Sequence, residues 1–162
     1  SAAGGQLLAC LGEGGLALDT AAFAPFARWI TPDAEPRRFD ARFYLVALPP
    51  DQVASSDGHE TTAGFWAAPR DVLARFERGE VQLAPPTIRC LELLLAVESI
   101  AQAREIAGAQ SLQAVCPRFV PGDPPALALP GDPAHEVTER RVAGPTRFVL
   151  RDGRFVSEDP PR

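Results

Sequence analysis

The chain has 162 residues, a hydrophobic fraction of 46% and a formal net charge of −5. That length suits one domain with a substantial core, a mean hydropathy near zero suits a soluble globular protein, and the negative charge argues against a general nucleic-acid-binding surface. No apolar run approaches the roughly 18 residues of a membrane-spanning helix, and no signal peptide is visible, so the expected compartment is the cytoplasm.

All 16 basic residues are arginine, and Lys, Asn and Met are absent. An anion site would therefore have to be a local arginine cluster. Without an initiator Met, Ser1 reads as a processed start or a cut inside a longer chain. Cys10, Cys90 and Cys116 are far apart and match no zinc or CxxC spacing, which suits free thiols in a reducing compartment.

In chain order, Gln6–Leu11 reads as a short helix or helix end, stopped by Gly12, Gly14 and Gly15. Phe23–Ile30 leads into a short strand, and the loop Asp33–Pro36 feeds a longer one at Phe39–Leu48. That strand alternates: Phe39, Ala41, Phe43, Leu45 and Ala47 share one face, while Arg38, Asp40, Arg42 and Tyr44 share the other. Pro49 and Pro50 end it. Residues 51–59 read as a polar loop and Thr61–Ala67 as a further strand.

Pro69 suits the first position of a helix over 69–78 with an apolar stripe of Val72, Leu73 and Phe76, closed by Gly79. Pro85 and Pro86 open a helix over Thr87–Val97, whose Ile88, Leu91, Leu94 and Leu95 place it in the core. Ser99 and Gln102 form a capping box for a helix ending at Gly108. After a proline-rich stretch, Arg147–Val156 reads as a hairpin whose Asp152-Gly153 turn suits type I′ geometry. Mixed strands and helices imply an α+β or α/β fold.

Several of these stretches, taken together, resemble one enzyme family. Trp29-Ile30-Thr31-Pro32, Arg37-Arg38-Phe39-Asp40-Ala41-Arg42-Phe43, His59-Glu60 ahead of Phe65-Trp66, and Leu83-Ala84-Pro85-Pro86-Thr87 are similar to a branch of the Nudix hydrolases. Within that branch they resemble the acyl-coenzyme A diphosphatases of peroxisomes and their bacterial homologues. The resemblance implies a Nudix-like α/β/α sandwich around a mixed sheet, with residues 1–100 forming the Nudix-like domain. Residues 101–162 would be a C-terminal extension packed on that domain and ending in the hairpin.

The same resemblance implies hydrolysis of a nucleoside-diphosphate-linked substrate, with coenzyme A or an acyl-coenzyme A as the family branch suggests. Mg²⁺ or Mn²⁺ would be held by glutamates of a box reading REUxEExGU, where U is aliphatic. No such box is present. Arg104-Glu105-Ile106 matches its start, but Gly108 and Ala109 follow where glutamates should stand. The family has the box upstream of the position of Trp29, so the N-terminal part of the domain is expected to be missing. This chain alone is expected to be inactive, with no metal ligands of its own. The alternative is a box-less, non-catalytic homologue that binds a nucleotide or serves as an interaction module.

Arg37, Arg38 and Arg42 are the candidate substrate-binding residues, since guanidinium forks match phosphate oxygens. Ion pairing with Asp33, Glu35 or Asp40 is an equal alternative. Glu60, in a loop where many Nudix enzymes carry a metal-contacting or general-base glutamate, is the candidate catalytic residue; a solvated loop carboxylate is the other reading. His59 beside it has no partner spacing, and His135 reads as structural or exposed. Phe65 and Trp66 should point to opposite strand faces, one into the core, and Trp66 is the candidate stacking residue for a nucleobase. The expected partner is a nucleotide or coenzyme A type small molecule, not nucleic acid or membrane, and a homo-oligomer is left open.

Overall fold

Strand alternation organises the first part of the chain. The computed structural model describes residues 9, 11–15, 17, 19–53 and 64–161. A 3₁₀ turn at Thr20–Ala22, capped by the Asp19 carboxylate, leads into β1 (Ala24–Ile30), which pairs antiparallel with β2 (Asp40–Leu45). Along β2 every second residue is half-buried, and those between are exposed. Ala41, Phe43 and Leu45 thus face inward as expected, and Asp40, Arg42 and Tyr44 face outward. A register shift between Pro25 and Ala27 lets both Phe26 and Ala27 enter the core.

Three helices follow: α1 (Pro69–Glu77), α2 (Pro85–Leu93) and α3 (Ile100–Ala109). All begin where the sequence indicates. Pro occupies the first positions of α1 and α2, where its missing N–H costs nothing. At α3 the Ser99 hydroxyl accepts from the Gln102 N–H at 3.2 Å, and the Gln102 side chain reaches back to the N–H of Glu98 at 2.8 Å. The second sheet is antiparallel throughout, in the order β3 (Arg118–Val120), β4 (Ala126–Ala128), β5 (Arg147–Arg151), β6 (Arg154–Glu158). Asp152 at φ 49° and Gly153 at φ 76° make the expected primed turn between β5 and β6.

The outcome is an α+β chain with helices beside antiparallel sheets. Among the described residues, a single isolated bridge between Trp29 and Val115 supplies the parallel component. Two expectations need correction. Residues 64–68 form no strand, and Phe65 and Trp66 are both exposed, at 57% and 77%. Arg75 lies over the Phe65 ring at 4.5 Å, so that ring is covered by a cation and not by the core. The second helix stops at Leu93, four residues early. Beyond it the backbone tightens into i→i+3 bonds, and Leu95 is 45% exposed. The helix Gln6–Leu11 falls mostly outside the described residues, although the Gly14–Gly15 turn after it is present. Among the described residues no helix is long and apolar enough to cross a membrane.

Among the described residues one core joins β1, the helices and the second sheet. Phe26 and Trp29 of β1, Phe76 of α1, Ile88 of α2, Leu129 after β4 and Phe148 of β5 are all buried in it. In the middle lies a charge that the sequence did not lead us to expect there. Arg89 of α2 is 1% exposed. Its guanidinium donates to the carbonyls of Ala143 (3.2 Å) and Pro145 (2.5 Å) and to the Ser157 hydroxyl (3.1 Å). Glu92 pairs with Nη1 at 3.0 Å without hydrogen-bond alignment, while the Phe148 ring lies 5.3 Å from the guanidinium carbon. Burial pulls the Arg89 pKa below its usual value, opposed by Glu92. Gly144 has φ 93°, and a Cβ there would overlap Nη1 of Arg89. Glycine is thus required both for the backbone and for the space.

A second buried ion supports the turn ahead of β5. The Asp132 side chain is fully buried and takes Arg147 bidentately at 2.7 and 3.1 Å, with further bonds from the Ala134 N–H and the Thr146 hydroxyl. Burial alone would raise its pKa, but Arg147 and these donors outweigh it and hold the carboxyl below its usual range.

Removing one member of a buried ion pair costs about 3–5 kcal/mol, so Arg89→Met should destabilise by about 3 kcal/mol in urea unfolding. Gly144→Ala should be similarly harmful in the native background and less so beside Arg89→Met, where the overlap is gone and only the strain of the positive φ remains. Additivity in that double-mutant cycle would count against the clamp. A depressed carboxyl pKa stabilises fully above its unfolded value and loses that contribution as pH falls through the folded value. Asp132→Asn should therefore lower stability at neutral pH and flatten its decline below about pH 4; a decline as steep as in the native chain would remove Asp132 from that role.

Candidate functional site

The three candidate arginines sit close in sequence, yet their side chains serve different surfaces. Arg38 is committed locally: its Nε donates to the Thr31 carbonyl at 3.0 Å and its Nη1 pairs with Asp33 at 2.6 Å. Arg42 lies on the outer face of β2, opposite Arg28 of β1. With Arg28, Tyr44 and Leu112 it borders a shallow hollow of about 220 Å³. Asp40 on the same face is taken by Arg28, whose Nε and Nη2 grip both carboxylate oxygens at 2.9 and 2.8 Å. The hydrogen bonds from Arg28 hold the Asp40 carboxyl below its ordinary pKa. Arg28 was not among the candidates. The cross-strand diagonal that joins it to Asp40 becomes visible only once the register is known.

Arg37 points elsewhere. It borders a cleft of about 380 Å³ between the inner face of the β1–β2 ribbon, the start of α2 and the second sheet. Trp29, Phe39, Pro85, Phe119, Leu127 and Phe155 supply its apolar walls, and Glu35 stands with Arg37 among the lining residues. Among the described residues Arg37 has no ion-pair partner, unlike Arg28 and Arg38. A cleft of this size and make-up suits a small-molecule ligand, since such sites are mostly apolar with a few placed polar groups.

A second hollow of about 410 Å³ shares Ala34, Pro117 and Phe119 with this cleft and is lined by Asp33, Cys116, Arg118, His135, Glu136 and Arg141 among others. Its residue types suggest chemistry, but its hydrogen bonds are structural. Nδ1 of His135 accepts from the Val137 N–H at 2.9 Å, so Nε2 carries the proton and donates to the Cys116 carbonyl, also at 2.9 Å. Both ring nitrogens are thus occupied, and none is left to activate a nucleophile. Burial pushes the Cys116 thiol up, away from the thiolate. Arg118 and Glu136 pair across the rim at 3.1 Å.

Trp66 is presented to solvent just ahead of α1. Glu60 and His59 lie outside the described residues. Among the described residues no three His, Cys, Asp or Glu side chains come together as a metal site. The described groups therefore do not fit the Mg²⁺ or Mn²⁺ that the family resemblance implies, and no chemical step is assigned to a metal. What they do offer is an apolar cleft with one uncommitted guanidinium beside it.

The thiols provide a check on this geometry. Burial pushes the Cys90 thiol up to about 12, and Cys90 is 8% exposed. In the native protein at pH 8, Cys90 should react with a disulfide reagent only as fast as the chain unfolds, and Cys116 sooner. Mass mapping of the labelled peptides reads this directly. Prompt labelling of Cys90 would contradict the packing of α2.

No family model matches the chain, and no solved structure matches it. Among curated proteins, the chain is 31% identical over 126 residues to "Acyl-coenzyme A diphosphatase NUDT19" of Gallus gallus, an alignment that takes in 70% of this chain and 32% of that relative. The chain thus spans about a third of the length of the relative it matches. This similarity supports a Nudix-related relationship over the aligned stretch.

Proposed function

We propose that this chain carries substrate-binding elements of a Nudix-type hydrolase whose substrate is a nucleoside diphosphate linked to a second group, of the coenzyme A class. The observation that carries the reading is the 31% identity to an acyl-coenzyme A diphosphatase over 126 residues. The cleft beside Arg37 supports it physically, because it pairs an apolar volume of about 380 Å³ with a guanidinium that has no ion-pair partner among the described residues. In this reading Arg37 holds a phosphate oxygen, Arg42 adds positive potential from the outer face of the ribbon, and Trp66 stacks on a base. Glu60 keeps the proposed role of general base. Residues 1–100 form the Nudix-like portion, and 101–162 the extension that supplies the far wall of the cleft through Phe119, Leu127 and Phe155.

Hydrolysis in this reading uses glutamates of a REUxEExGU box, and these 162 residues contain none. They are expected to bind coenzyme A in calorimetry and to release no phosphomonoester from it in the presence of Mg²⁺. Arg37→Ala should weaken binding about tenfold, the loss of roughly one charge-assisted hydrogen bond. Arg38→Ala should act mainly on thermal stability, since that side chain is already occupied by Thr31 and Asp33. Turnover by the unaltered chain, or an affinity for coenzyme A unchanged in Arg37→Ala, would refute the assignment.

A further inference from the structure

The ribbon of β1 and β2 is closed on one side only. β1 is bonded along both edges. β2 lies on one of them; on the other, the Val115 N–H donates to the Arg28 carbonyl and the Ile30 N–H to the Val115 carbonyl, both at 2.9 Å. β2 is the outer strand, and among the described residues nothing pairs with its second edge. The ladder decides which groups that edge presents. The Phe39 carbonyl accepts from the Thr31 N–H at 3.0 Å, and the Phe39 N–H donates to the Thr31 hydroxyl, also at 3.0 Å, so Phe39 turns both groups toward β1. Successive residues of an antiparallel pair alternate in this direction. Ala41 and Phe43 therefore face β1 as well, while Asp40, Arg42 and Tyr44 hold their N–H and C=O groups toward the open edge.

An open edge is a template for a further strand, and the side chains decide which strand fits. Arg42 is exposed and has no ion-pair partner among the described residues. The Asp40 carboxylate, although gripped by Arg28, is still 41% exposed and has lone pairs for another donor. On the inner face Phe39 is 62% exposed. When two β2 strands pair antiparallel about a two-fold axis, outer face continues outer face, and the register is set by the residue on the axis. With Asp40 there, carboxylate opposes carboxylate; with Arg42 there, guanidinium opposes guanidinium. Like charges directly opposite are unfavourable. With Phe43 on the axis, Arg42 meets Tyr44 and Asp40 meets Val46, so neither charge finds its opposite. With Ala41 on the axis, Asp40 of each copy lies opposite Arg42 of the other, and Phe39 of each lies opposite Phe43 of the other. Asp40 and Arg42 are also residues whose main-chain groups face the edge, so both charge pairs coincide with pairs that exchange backbone hydrogen bonds. Charge, aromatic cover and backbone direction agree on this one register.

We propose that the open edge of β2 is an interface between two copies of this chain, joined antiparallel about Ala41 into one continuous sheet in the order β1-β2-β2-β1. The interface does not depend on the function proposed above, but it adjoins the same cleft. Phe39 and Ala41 line that cleft, so Phe43 of the second copy is set against its rim. Strand pairing of this extent is small beside a standard interface of about 1,600 Å², which makes the association a weak one that salt weakens further.

Sedimentation equilibrium of the 162-residue protein between about 1 and 100 µM should show monomer and dimer in exchange. Arg42→Asp sets carboxylate against carboxylate, and Asp40→Arg sets guanidinium against guanidinium. Each should weaken self-association at least about tenfold. Mixing the two variants restores both opposite-charge pairs, so the mixture should form a heterodimer about as tight as the native dimer. Both positions are exposed, and the ion pair with Arg28 that Asp40→Arg removes is a surface one, so both variants should keep a cooperative melt. Ala41→Cys gives a readout independent of them. On the axis its two Cα atoms would lie about 4.5 Å apart, within disulfide range, and mild oxidation should yield a covalent dimer that the native chain does not form. A monomer throughout the concentration range, with no cross-link, overturns the proposal and leaves the edge to some other extended segment. A native dimer that survives Arg42→Asp, or variants that fail to associate when mixed, puts the contact on another face and overturns it equally.

Discussion

One guanidinium ties the core helix α2 to the loop before β5 and to the last strand. Arg89 carries its charge into the core on α2 and gives its donors to the carbonyls of Ala143 and Pro145 and to Ser157 of β6. Segment 143–145 has no regular structure with which to satisfy those carbonyls, and a buried carbonyl must find a donor. The arginine therefore does for this loop what a ladder does for a strand. It fixes where β5 begins, and hence where Phe148 enters the core beside Phe26 and Trp29. The Asp132–Arg147 pair repeats the device one turn away, with the charges exchanged: there the acid belongs to the loop and the base to the strand.

These two pairs explain how a chain so rich in proline holds a defined shape. Between Pro117 and Pro145 the main chain forms only the short strands β3 and β4. Side chains of Arg118, His135, Arg140 and Arg141 bridge much of the rest, three of them to backbone carbonyls. Such bonds act over short range and need close geometry. The order they impose is local, and the cleft wall contributed by Pro117 and Phe119 depends on it.

The regular elements were legible in the sequence because their signals are local. Alternation marked β2, Ser99 and Gln102 marked the start of α3, and Asp152-Gly153 marked the hairpin. Arg89 was not legible. Flanked by Ile88 and Cys90, it looks like any surface arginine on an amphipathic helix, and its partners are mostly backbone carbonyls, which carry no side-chain signature. The cleft was only partly legible. Arg37 could be named, but the walls come from five separate stretches (29–41, 84–86, 117–119, 127 and 155), and their proximity is a property of the tertiary fold. Of Phe65 and Trp66, one was expected in the core, yet both are exposed, whereas Trp29, in a plain apolar strand, is buried and its indole N–H has no partner among the described residues. The strand expected at 61–67 failed in its described part because aromatic β-propensity reflects packing opportunity, and Phe65 and Trp66 have little to pack against.

The ribbon of β1 and β2 has one further implication. Its inner face borders the apolar cleft and its outer face carries Arg28, Asp40 and Arg42, so two chemically opposite surfaces share a single backbone register. Moving either strand by one residue would turn guanidiniums into hydrocarbon and aromatic rings into water at the same time. Length variation in relatives of this chain should therefore be absent from 24–30 and 40–45 and collect in the connecting loop at 31–39. There an insertion would alter the reach of Arg37 without disturbing either face, which makes the loop the place where ligand preference can drift while the fold stays fixed.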